Sequence, residues 1–172
     1  MKQELSITRV RPTYQAWIIA ALLMFVDAFV FNQGVISLFL GLGLIFIVLP
    51  RTFLPKFAGV RRMRLRNLMI YGVAILLVFA LNAANNRLAR NRGDVVAAKI
   101  KEFNQKYGRY PQSLQDLVPE FIERVPRAKY TALYGEFSYF KSERGALLLY
   151  TALPPFGRPT YDFTRDEWTK LD

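Results

Sequence analysis

The chain has 172 residues, with 24 Lys and Arg against 13 Asp and Glu, a formal charge of +11, and neither His nor Cys. Without Cys there are no disulfides, thiolate nucleophiles, Fe–S clusters or thiolate zinc sites. Without His the commonest general base and metal ligand are missing. Hydrophobic residues make up 52% of the chain and charged residues 22%, and the two kinds are segregated along it.

Three apolar stretches fill the first half. Tyr14 to Phe31 is interrupted only by Gln15 and Asp27, Gly34 to Pro50 carries no charge, and Leu68 to Ala84 has Asn82 as its one clearly polar residue. Each is roughly 17–18 residues, the lower end of what crosses a ~30 Å hydrocarbon core. Joined as one helix, the first two would measure ~54 Å at 1.5 Å per residue. Asn32-Gln33-Gly34 supplies turn chemistry between them. The pattern therefore predicts a helical hairpin with spans at 14–31 and 34–50, and a third span over about 67–86. With few charges on any face, these segments lack the polar stripe of a soluble surface helix. The first exceeds the ~7–15 apolar residues of a secretory signal, and no small-x-small cleavage site follows it before the second span.

Lys2, Arg9 and Arg11 precede the first span, and Arg51, Lys56, Arg61, Arg62, Arg64 and Arg66 separate the second from the third with no acid among them. The positive-inside rule then puts the N-terminus and the 51–66 loop in the cytoplasm and the C-terminal half outside. Arg87, Arg90 and Arg92, just past the third span, pull the other way but are outnumbered. The basic loop is read as topogenic and as a surface for membrane lipids, at ~1 kcal/mol per basic residue near anionic head groups, and not as a nucleic-acid site. Asp27 is a functional candidate because an ionisable group costs ~2.5–3.5 kcal/mol at mid-membrane. Its plainer reading is a side chain reaching water or the Asn32-Gln33 turn.

Beyond Ala83 the helical spacing persists. Leu81, Leu88, Val95 or Val96, Ile100, Phe103 and Tyr107 recur at intervals of three, four or seven, between charged positions such as Arg90, Asp94, Lys99 and Glu102. One rod over about 67–107 is predicted, roughly 60 Å long, with Gly93 as a weak point costing ~1 kcal/mol. Gly108 then ends it and Pro111 follows. Ser113 and Asp116 form a capping-box-like pair, with Leu114, Leu117 and Val118 as the buried side of a short helix. Pro119 opens a further turn over 120–124. After residue 130 the period becomes two. Phe137, Tyr139 and Lys141 alternate, 142–145 is a hairpin loop closed by Gly, and 146–153 is the return strand. Tyr161, Phe163 and Arg165 alternate again before Trp168. The fold class is thus three transmembrane helices plus α+β: a small antiparallel β-meander on the flank of the long helix. The chain divides into a transmembrane hairpin with its basic loop (1–66), the third span and its extension (67–107), and an outer α+β region (108–172).

A membrane helix that becomes amphipathic, then Tyr107-Gly108-Arg109-Tyr110-Pro111, Ser113-Leu114, Leu117-Val118-Pro119 and Phe137-Ser138-Tyr139, resembles the type IV pilins and type II secretion pseudopilins, closest to the major pseudopilin type. The resemblance covers about residues 67–165. It implies a bacterial inner-membrane protein with a periplasmic pilin-like domain working in a pilus or secretion assembly. Two departures stand out. Arg66-Asn67-Leu68-Met69-Ile70-Tyr71 has neither the Gly nor the acid of the prepilin peptidase motif, and two spans precede the helix. The chain is therefore expected to stay in the membrane rather than enter a filament. Pseudopilins can hold calcium near the C-terminal loop, where this chain has Asp162, Asp166 and Glu167. These lack a dense oxygen-ligand pattern and read as turn charges, so no cofactor or metal is expected.

No enzyme is expected either. Ser6, Ser37, Ser113, Ser138 and Ser142 have no Ser-x-x-Lys partner, and there is no phosphate-cradling Gly-rich loop; Gly41-x-Gly43 reads as close helix packing. The outer half instead crowds ten aromatics into one small region, more than one inner face can hold, which suggests protein contact. Tyr139, Pro154, Pro155, Phe156 and Trp168 are the predicted contact residues, the Pro154-Pro155-Phe156 loop foremost because a rigid apolar loop loses little entropy on docking. The predicted partner is another envelope or membrane protein. The alternative is a small accessory subunit of a larger membrane enzyme or transporter, held through its spans. Self-association stays open.

Overall fold

In the computed structural model, residues 13–142, 145–153 and 157–171 are described. Lys2, Arg9, Arg11 and the Pro154-Pro155-Phe156 loop lie outside them. The first helix runs Thr13–Phe31 and the second Val35–Thr52; with the helical stretch Pro55–Tyr107, these are three helices long and apolar enough to cross a membrane. The last part of the first, Phe25–Phe31, and the middle of the second, Leu44–Val48, are wound as π-helix. Asn32 and Gly34 both take left-handed backbone conformations, φ 53° and 72°, and turn the chain between the two. A Cβ on Gly34 would stand 2.9 Å from a ring carbon of Phe79, so no other residue fits there without a shift.

The long helix runs without a break from Arg61 to Tyr107, 47 residues or about 70 Å. It begins six residues earlier than the sequence pattern suggests. Only the front of the 51–66 segment is a connection, partly a 3-10 turn at Pro55–Val60, and Arg61, Arg62, Arg64 and Arg66 are helical. Near its basic end, Ile70 and Ala74 pack against Ala16 and Ala20 of the first helix, where small side chains let backbones approach. Gly108, at φ 64°, stops the helix, its N–H donating to the Asn104 carbonyl at 2.8 Å.

The far end of the long helix carries a four-stranded antiparallel meander in the order β1 (Ser138–Ser142), β2 (Gly145–Leu149), β3 (Arg158–Asp162) and β4 (Glu167–Leu171). Register pairs Tyr139 with Leu148, Leu148 with Tyr161, and Tyr161 with Trp168. Val96, Ala97, Ile100 and Phe103 form the helix side of the core, against Ala146 and Leu148 of β2, Tyr161, Phe163, and Leu114 and Leu117 of the 3-10 turn Leu114–Leu117. Each fully buried aliphatic contributes ~1.5–3 kcal/mol. The capping box of that turn is present as the pattern predicts, with Ser113 and Asp116 bonded to each other's backbone.

Three expectations are corrected. The inward position is Val96, while Val95 is 57% exposed and Tyr107 also faces out. The return strand ends at Leu149. The third strand covers 158–162, because the Asp162 carboxylate accepts the Thr164 N–H at 2.8 Å and bends the chain into a turn before Arg165.

Candidate functional site

The two sheet edges are unlike. On β4, Trp168 lies across the long helix. A Cβ on Gly93 would stand 2.8 and 2.9 Å from two carbons of its six-membered ring, so Gly93, which the helix pattern marks as a weakness, is the seat for the indole. The Trp168 Nε1–H donates to Asp94 Oδ1 at 2.7 Å, and the Arg90 guanidinium stacks 4.4 Å from the ring centre. Trp168 thus fastens β4 to the helix.

Among the described residues no strand pairs with the outer edge of β1. Tyr139 turns inward, its hydroxyl donating to the Pro111 carbonyl at 3.0 Å, and burial pushes its phenol pKa up. Its neighbour Phe140 points outward, 58% exposed, flanked by exposed Ser138, Lys141 and Ser142. Period-two alternation separates Tyr139 from Phe140, but only the register with β2 shows which of them faces the core.

A second region joins the sheet-bearing half to the helical hairpin. The last carbonyls of a helix have no partner within it, and here the loop after Lys129 supplies them. Ala132 and Leu133 donate their N–H groups to the Phe29 and Val30 carbonyls at 2.8 and 3.1 Å. This brings exposed Tyr130, Leu133 and Tyr134 beside the end of the first helix. Arg92 bonds the Arg127 carbonyl at 2.8 Å and stacks on Tyr130. Asp27 lies fully buried inside the turn below, its two oxygens accepting the Gly34 and Ser37 N–H groups at 2.9 and 2.8 Å. It caps the second helix, satisfying orphan donors at a terminus whose dipole favours an anion. Around it, Asn85 donates to Asn32 at 3.1 Å, and the buried amide of Asn82 makes no hydrogen bond.

Lys129 is the residue the sequence gives no hint of. It is 1% exposed, and its ammonium donates to the Ala152 carbonyl at 3.0 Å. Burial pulls its pKa down to about 8. The acids considered for calcium have other work. Asp162 holds the turn, and Asp166 accepts from Tyr161 and pairs with Lys101, which holds its carboxyl below the usual range. Among the described residues no group of three or more acidic side chains could hold a metal ion.

At the opposite end, Arg64 stacks 3.8 Å over Phe57, Arg61 donates to the Phe53 carbonyl at 3.2 Å, and Arg66 bonds Thr13 Oγ1 at 2.6 Å. Arg51, Lys56 and Arg62 are exposed. The predicted basic residues thus gather at one end of the helices, and of the predicted contact residues Tyr139 and Trp168 are engaged inside the sheet domain. No protein-family model matches the chain, and no curated protein and no solved structure matches it.

Proposed function

We propose that the chain is a non-catalytic, three-span inner-membrane protein whose pilin-like outer domain binds another envelope protein, within a pilus, secretion or related membrane assembly. Its basic 51–66 segment is cytoplasmic and rests on lipid head groups. The observation that carries the binding role is the open β1 edge with Phe140 at its centre. An unpaired strand edge offers backbone donors and acceptors to an incoming strand, and an exposed aromatic supplies an anchor. The other edge strand, β4, also has no outer neighbour among the described residues, but Trp168 pins it to Gly93 of the long helix. The long helix leading into an antiparallel sheet supports the pseudopilin resemblance, while the two preceding helices favour retention in the membrane.

The test is crosslinking in native membranes, then copurification of the full-length protein in mild detergent. Lys141 on β1 and Lys170 on β4 are exposed amines for this purpose, whereas buried Lys129 is closed to the reagent. An envelope protein linked through Lys141 and lost on Phe140→Asp supports the reading. A stoichiometric membrane enzyme or transporter retained by Phe140→Asp would make the chain an accessory subunit held through its spans.

A further inference from the structure

An apolar groove of about 340 Å³ opens between the second helix and the long helix, walled by Gly41, Leu44, Leu49, Leu68, Gly72 and Leu76. Two glycines make the room. A Cβ on Gly72 would meet nothing within 4 Å, and one on Gly41 only the tip of Ile75 at 3.7 Å. The long-helix wall continues toward the basic end at helical spacing, through Leu68 to Arg64 and Arg61. Among the described residues neither arginine pairs with a carboxylate, and the sequence has no Asp or Glu between Asp27 and Asp94. Arg64 is held over Phe57 and Arg61 against the Phe53 carbonyl.

From these features we infer that the groove is a binding site for one anionic phospholipid, with an acyl chain lying between the helices and its phosphate at Arg61 and Arg64. The dimensions agree. Leu68 to Leu76 spans about 12 Å of helix, within the ~15 Å of one leaflet's hydrocarbon, and Arg64 lies about 6 Å further out, at the depth of a head group. The chemistry agrees as well. An apolar slot next to guanidiniums that have no carboxylate partner among the described residues matches a lipid's two ends, and a guanidinium binds phosphate in bidentate fashion. An unpartnered helix from another protein would fill the slot but leave both arginines without an anion.

The inference rests on the membrane reading, and the test separates the two. Full-length protein is reconstituted in phosphatidylcholine vesicles containing a minor fraction of phosphatidylglycerol, re-extracted in mild detergent, and its retained lipid counted by native mass spectrometry. Phosphatidylglycerol is expected in roughly tenfold excess over its share of the vesicle. Arg61→Gln with Arg64→Gln should erase that excess, and Gly72→Leu should lower all retained phospholipid while the unfolding temperature holds. Gly41→Leu narrows the groove from the other wall and should act alike. Retention unchanged in both glycine variants, or phosphatidylcholine retained as well as phosphatidylglycerol, overturns the site. Protein that washes off the vesicles in alkaline carbonate overturns the membrane reading itself.

Discussion

Replacing Gly93 by Ala sets two effects of opposite sign against each other at one position. In an isolated helix the change stabilises by about 1 kcal/mol, because Ala has less backbone entropy to lose than Gly. Here the new methyl would stand 2.8 and 2.9 Å from Trp168 and 3.4 Å from Phe137, well inside the ~3.5–4.0 Å of a normal carbon contact. The indole cannot slide away freely, since Asp94 holds its N–H, Arg90 lies on its face, and Tyr150 and Tyr161 pack at 5.8 and 5.3 Å. Overpacking of this kind costs ~1–3 kcal/mol, and a displaced indole also gives up a hydrogen bond of ~0.5–1.5 kcal/mol. The net expectation is a loss of about 1–3 kcal/mol. Thermal unfolding of the full chain in mild detergent, followed by near-ultraviolet circular dichroism, measures it. In a Trp168→Ala background the clash is gone and the sign should invert, with Gly93→Ala then stabilising by about 1 kcal/mol. A Gly93→Ala protein that unfolds at a higher temperature with Trp168 in place would refute the seat assigned to this glycine.

Lys129, held at about 8 against an ordinary 10.5, binds its proton less readily folded than unfolded. Its penalty is therefore full below pH 8, and stability should rise as pH climbs from about 8 to 10.5. Lys129→Met should stabilise at pH 7 by about 2–3 kcal/mol and flatten that rise; parallel pH–stability profiles for the two proteins would count against a buried ammonium. Asp27→Asn keeps the shape of the side chain but sets an amide N–H₂ against a backbone donor, Gly34 or Ser37. A loss of about 1–3 kcal/mol in thermal stability is expected, and an unchanged unfolding temperature would remove its role as a cap. The chain has no Cys, so a nitroxide on Leu133→Cys reports one place. Bonded to the end of the first helix, it should be more accessible to oxygen than to a water-soluble nickel complex once in vesicles; the reverse ranking would detach this loop from the lipid interface.

The helices were readable because their signals are local. Uninterrupted apolar runs, the Asn32-Gln33-Gly34 turn, the Ser113–Asp116 capping box and the Gly108 stop each act within a few residues of where they are written. The third strand shows where local patterns end. Tyr161 and Phe163 are both buried, as alternation suggests, and Phe163 still donates its N–H to the Ala146 carbonyl at 3.1 Å. The next strand-like N–H, that of Thr164, is captured by the Asp162 carboxylate, and the chain turns. Gly93 reads as a flaw in a helix until Trp168, 75 positions later, is laid on it. Lys129 belongs to a residue type that is almost never fully buried unpaired, and only the loop that folds back to bond Gly135 and Ala152 encloses it.

Tyr139 and Phe140 carry the same lesson to the candidate interface. Neighbouring aromatics on a strand must face opposite sides, so the sequence narrows the exposed residue to one of two. The choice depends on which face of β1 meets the long helix, and that is set by the pairing of Tyr139 with Leu148, whose side chain is fully buried. A one-residue slip in that register would bury Phe140 and expose Tyr139. The surface proposed for a partner is therefore a consequence of the core: Leu148 against Val96 and Ile100 holds the sheet's inner face, and what remains outward on β1 is Phe140.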